Sequence, residues 1–145
     1  MFKKLFFIIC ILFYSSMSYG KTIEIEMLNK LGKEKMVYSI KVAKIDLNDK
    51  IIWKHVSKGH NVEFLAGPNM KALPEKSELD VSHSITFDLP GVYLYQCTPH
   101  GNMGMLGLIV VGNNFNNLDK IEEMELSRVA KSVLQRLIRV AKQNE

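Results

Sequence analysis

Short runs of β-branched and aromatic residues, cut at intervals by glycine, proline and asparagine, fill most of this 145-residue chain. Ile23, Ile25 and Met27 alternate with Thr22, Glu24 and Glu26, the period of a strand with one wet face. Asn29 to Lys35 reads as a polar turn around Gly32. Met36 to Ile45 resumes the β-rich character through Val37, Tyr38, Ile40 and Val42, and Lys50 to Val56 follows a turn at Asn48-Asp49. Ser57-Lys58-Gly59 ends that run and leaves His60 at the mouth of a loop. Gly67-Pro68-Asn69 and Leu73-Pro74-Glu75 mark a loop-rich interval with room for a short helical turn, after which Val81 to Leu89 returns to a strand. Beyond the sharp turn at Pro90-Gly91, Val92, Leu94 and Gln96 alternate with Tyr93, Tyr95 and Cys97, so Cys97 ends a strand on the tyrosine face. Leu106 to Val111 is a near-continuous apolar strand closed by Gly112. Seven to eight short strands separated by turns predict an all-β sandwich, whose strand ends gather distant loops at one pole.

The two ends of the chain depart from this pattern. Residues 1–20 read as a signal peptide, with Lys3 and Lys4 before the apolar run Leu5 to Tyr14, and cleavage is expected between Gly20 and Lys21. The run is too short for a comfortable membrane span. Cys10 lies inside it, after Ile9, which argues against a lipoprotein site. Removing Lys3 and Lys4 from the 19 basic residues leaves 17 against 15 acidic ones, net +2. That mild and scattered charge does not suggest nucleic acid. Cys97 is then the single thiol, which excludes an intrachain disulfide and points to a cysteine that is buried, ligated or catalytic. One domain is expected, a sandwich over 21–112 with C-terminal helices over 113–145 packed on it. Leu126, Val129, Val133, Leu137 and Val140 form an apolar stripe at helical spacing, with Ser127 as N-cap, and Asn116 or Asn117 caps a shorter helix over Leu118 to Glu125. Arg128, Lys131, Arg136, Arg139 and Lys142 mostly take the other face; the stripe is too mixed for stable membrane association.

Chemistry concentrates in Gln96-Cys97-Thr98-Pro99-His100-Gly101-Asn102-Met103-Gly104-Met105. Cysteine and methionine are soft donors, and two imidazoles, a thiolate and a weak axial thioether make the set that holds copper in electron-transfer sites. The stretch supplies one imidazole, the thiolate and two thioethers. Of the other histidines, His83 reads as exposed in a Ser-His-Ser context and His55 as a structural strand residue. His60, after a glycine turn at a strand end, is the expected second imidazole. Cys97 and His100 can aim into one pocket across a turn; Pro99 has no N–H to give the sulfur, and Gly101 and Gly104 permit a tight return of the backbone. Asn61 and Thr98 each follow a candidate ligand and can tie the two loops together. Two rivals exist: an enzyme with Cys97 as nucleophile and His60 or His100 as base, and a copper or zinc carrier. The first leaves a methionine and a histidine idle and lacks an oxyanion motif; the second needs no closed four-donor set.

These residues resemble the pseudoazurins, small type 1 (blue) copper proteins of cupredoxin fold. Cys97-Thr98-Pro99-His100 followed by Met103-Gly104-Met105 is similar to their ligand loop, Lys58-Gly59-His60-Asn61-Val62-Glu63 to their first-ligand segment, and Ile25 to Lys30 to their first strand. The resemblance implies a Greek-key cupredoxin-like β-sandwich with a helical tail. It also implies one copper ion held by His60, Cys97, His100 and Met105. Met103 stands where the shorter amicyanin loop places its methionine, and the pseudoazurin-like first strand and tail favour Met105. The implied function is a periplasmic electron carrier cycling between Cu(I) and Cu(II), not an enzyme, monomeric, with nitrite reductase or a c-type cytochrome as partner. Lys30, Lys58 and Lys76 are candidate docking charges around a patch that includes Met36 and Met103. Gln96 stands where some relatives carry a lysine, a departure expected to touch docking, and Asn48-Asp49 lacks their Pro-Gly.

Overall fold

The computed structural model describes residues Tyr19–Gln143, so the segment expected to be a signal peptide lies almost wholly outside the described residues. Eight strands form two four-stranded sheets. The first holds β1 (Thr22–Leu31), β2 (Glu34–Tyr38), β4 (Lys50–His55) and β6 (His83–Thr86) in the order β2-β1-β4-β6. The second holds β3 (Val42–Ile45), β5 (Glu63–Ala66), β7 (Gly91–Gln96) and β8 (Leu106–Val111) in the order β3-β8-β7-β5. The pairs β1·β4 and β3·β8 are parallel and the rest antiparallel, which fixes the Greek-key-like crossing of the chain between sheets. This is the two-sheet sandwich with a helical C-terminus that the resemblance implies.

Alternation decides which side chains enter the core. Ile25 and Met27 of β1, Ile51 and Trp53 of β4, and Tyr93, Tyr95 and Cys97 along β7 point between the sheets. Val92 and Leu94 take the opposite face of β7 and join Leu106, Leu108 and Val110 in a second core. Helices α1 (Leu118–Glu122) and α2 (Arg128–Lys142) cover that face. Ser127 caps α2 by accepting from Ala130 N at 3.1 Å. Among the described residues, no helix is long and apolar enough to cross a membrane.

Several details differ from the sequence expectations. The run from Met36 to Ile45 is two strands in different sheets, separated at Ser39–Lys41, and Met36 itself has φ +49°, a left-handed backbone that bends the edge strand β2. β1 runs through Leu31, so the turn around Gly32 is tighter than the expected Asn29-to-Lys35 span. The interval after Gly67 holds no helix, and β5 was not foreseen between His60 and Gly67. The α2 stripe is rotated: Ala130, Leu134, Leu137, Ile138 and Ala141 are buried, while Val129 and Val140 stay 52% and 46% exposed. Two alanines let the helix approach β8 closely, and the valines fall beside that contact line. Likewise α1 ends at Glu122, and Asn117 does not cap it with its side chain. That amide instead clasps Val92, accepting from its N–H and donating to its carbonyl, both at 2.8 Å.

Candidate metal centre

His60, Cys97 and His100 meet at one pole of the sandwich, where the loop after β4 faces the loop after β7. Cys97 Sγ stands 3.6 Å from His60 Nδ1 and 3.4 Å from His100 Nδ1, and one donor atom from each residue lies within 4.8 Å of the others. A first-row cation bonded at about 2.0 Å to nitrogen and about 2.3 Å to sulfur at trigonal angles separates the two donors by roughly 3.7 Å. The triangle has that size. His60 and Cys97 are fully buried and His100 is half-buried, so the centre is shut from bulk water on all but the His100 side. A soft sulfur between two imidazole nitrogens suits copper, and the residues present fit it.

Each donor is aimed by its surroundings. Gly59, at φ +88°, turns the chain into His60, with its N–H bonded to Asp80 Oδ1 at 2.5 Å and the His60 carbonyl accepting from Asp80 N at 3.0 Å. His60 Nε2 donates to Asn29 Oδ1 at 2.7 Å, which leaves Nδ1 as the lone-pair nitrogen facing the thiol. Asn29, on β1, was not singled out in the sequence; only its place in the first-strand resemblance marks it. The expected tie between loops is present twice over. Asn61 Nδ2 donates to Thr98 Oγ1 at 2.9 Å, and Thr98 N donates to Asn61 Oδ1 at 2.7 Å. The Cys97 carbonyl accepts from His100 N and Gly101 N, which folds the turn that brings His100 back. Burial, then the neighbouring His100, holds the His60 imidazole below the usual histidine range, and burial pushes the Cys97 thiol up. Cys97 is therefore no exposed, activated nucleophile.

The two methionines separate. Met105 is 1% exposed and packs in the core beside Cys97; its N–H reaches the His100 carbonyl and its carbonyl accepts from Cys97 N, both at 3.1 Å. Met103, in the 3-10 turn Gly101–Met103, is 62% exposed. The other histidines stay outside: His55 Nδ1 is 4.0 Å from Asp80, and His83, half-buried rather than exposed, stacks near Trp53 with Nε2 3.0 Å from the Glu75 carbonyl. Gln96 does not stand out towards a partner. Its amide folds over Gly101, where a β-carbon would lie 2.0 Å from Gln96 Oε1, and donates to Glu63 Oε2 at 3.0 Å.

The family model for copper binding proteins of the plastocyanin/azurin family matches residues 25–112. A putative pseudoazurin of Rhizobium leguminosarum bv. viciae is 36% identical over 115 residues, covering 79% of this chain and 74% of its own. The chain belongs to the plastocyanin/azurin family, among its pseudoazurins. A pseudoazurin of Paracoccus pantotrophus is 34% identical over 118 residues, covering 78% of this chain and 79% of its own. A solved pseudoazurin structure from Sinorhizobium superposes with a TM-score of 0.79 at 28% identity, over 86% of this chain and 99% of that one. Membership makes the protein a blue copper electron carrier, not an enzyme, and copper its cofactor.

Proposed function

We propose that His60 Nδ1, Cys97 Sγ, His100 Nδ1 and the Met105 thioether hold one copper ion, and that the protein carries single electrons in the periplasm to or from a nitrite reductase or a c-type cytochrome. The observation that carries this reading is the triangle of two imidazole nitrogens and one sulfur, with Met105 buried in the same core cluster as Cys97 and Met103 exposed. When bound, copper supplies the Cu(I)/Cu(II) couple in a donor set that suits neither state fully. The chain's own residues do the rest. Asn29 and the Asn61–Thr98 pair hold the donors in place between oxidation states, so little rearrangement accompanies the redox change. The core excludes water from Cys97, and the half-buried His100 ring offers the path to a partner. Beside it, exposed Met103 and half-buried Met36 make an apolar contact surface, with exposed Lys30 next to Asn29 and exposed Lys58 two residues before His60. Lys76 is engaged with Glu63 at 3.7 Å and is the weaker candidate for steering. Brief electron-transfer contacts need only a small interface, so a monomer suffices.

Visible absorption tests the reading. The oxidised, copper-loaded protein should be strongly coloured by thiolate-to-copper charge transfer and should bleach reversibly on one-electron reduction. Met105→Ala should change both the spectrum and the potential, whereas Met103→Ala should leave them near those of the wild type. A spectrum altered by Met103→Ala alone would reverse the methionine assignment. A colourless protein whose Cys97 alkylates readily would overturn the reading.

A further inference from the structure

The C-terminal helix touches the metal loop at two points. Ser127, besides accepting from Ala130 N, donates its hydroxyl to the Asn102 carbonyl at 2.8 Å. Further along α2, Val133 covers Gly104: a β-carbon there would stand 2.7 Å from Val133 Cγ2 and 3.6 Å from Val129 Cγ1. Gly104, at φ +97°, closes the 3-10 turn and immediately precedes Met105. The backbone of Met105 is thus registered on its inner side by bonds to His100 and Cys97, and the turn that delivers it is backed on its outer side by α2.

We infer that Ser127 and Val133 are positioning residues for the Met105 thioether, and that α2 is a buttress fixing how closely this donor approaches copper. The inference rests on Met105 being the thioether ligand. The physical reason is that a thioether would bind copper only weakly. A weak bond would not set its own length, so the scaffold behind the loop would, and the closeness of such a donor would tune the potential. Surface loops are the mobile part of a sandwich, and this one is held by a helix whose other face is buried against β8.

Four variants separate positioning from general support. Ser127→Asp keeps an acceptor for Ala130 N but has no hydrogen to give Asn102. Val133→Ala removes the γ-methyl that backs Gly104 and leaves the β-carbon. Val140→Ala, exposed on the same helix, is the control, and Met105→Ala reports the ligand itself. Reduction potential and visible spectrum are measured on copper-loaded protein well below melting, and amide hydrogen exchange at Met105 on the metal-free protein. Ser127→Asp and Val133→Ala should each shift potential and spectrum and speed the Met105 exchange, while Val140→Ala matches the wild type. If both variants lose only thermal stability, with spectrum, potential and exchange unchanged, the buttress is overturned while a shift in Met105→Ala leaves the ligand assignment standing. If Met105→Ala itself changes nothing, ligand assignment and buttress fall together.

Discussion

Asn29 shows how a single exposed strand residue decides metal chemistry. An imidazole can present either nitrogen, and the bond from His60 Nε2 to Asn29 Oδ1 commits Nδ1 to the thiol side. Asn29→Ala should therefore weaken copper binding by about 10–100-fold while leaving the fold intact, a loss that titration with a competing chelator reads directly. Unchanged affinity would mean that packing alone orients the ring. The grouping of His60, Cys97 and His100 is legible in the sequence because Cys97-x-x-His100 is local and His60 follows a glycine break. Asn29 was not legible, because its partner lies 31 residues away and nothing in its spacing announces a metal. The separation of Met103 from Met105 was legible only through resemblance; in space it follows from Gly104, which sends one thioether out and the other in.

Among the elements, β5 and β7 are joined next to the site by Glu63, which accepts from Gln96 Nε2 at 3.0 Å and from Thr98 Oγ1 at 2.9 Å. The Gln96 bond, with further help from Thr98 and Lys76, holds the Glu63 carboxyl below the usual 4.5 despite its partial burial. A depressed folded pKa adds stability that is full above the unfolded value and is lost as pH falls through the folded one. Glu63→Gln should thus lower the melting temperature at neutral pH but converge with the wild type in acid, as thermal scans across that window will show; a constant offset would remove the linkage. β5 is hidden in the sequence because its four residues, just before Gly67-Pro68, carry too little alternation to stand out. The α2 stripe was misjudged by one position because valines outweigh alanines in a hydropathy pattern, whereas close packing on β8 selects small Ala130 and Ala141. Leu134, fully buried on the inner face of that helix, gives the corresponding prediction. Leu134→Ala should cost about 2–5 kcal/mol in denaturant unfolding. A cost below about 1 kcal/mol would mean that α2 adds little to the sandwich.

At the scale of the whole molecule, the two-sheet design separates stability from function. The aromatic core, with Trp53 and Tyr95 5.2 Å apart and Tyr38 and Tyr95 4.9 Å apart, lies directly beneath the metal pole. Tyr38 connects the two by donating to the Asn61 carbonyl at 2.7 Å. A rigid floor of this kind holds the His60 and Cys97 side fixed, while the half-buried His100 leaves the proposed partner side open. Lys30 and Lys58 make no ion pair among the described residues, which leaves their charge free to steer an acidic surface. Electron-transfer rates with such a partner should fall as ionic strength rises from about 0.01 M to about 0.15 M, because the screening length shrinks from roughly 30 Å to roughly 8 Å. A flat rate across that range would show that apolar contact, not steering, governs encounter.

Anomalous diffraction at the copper edge, from crystals of the copper-loaded protein, reads the identity of the four donors without intermediaries. The expected map has one peak per chain, enclosed by His60 Nδ1, Cys97 Sγ, His100 Nδ1 and Met105 Sδ. A peak bound by Met103, or one lying away from Cys97, would contradict it.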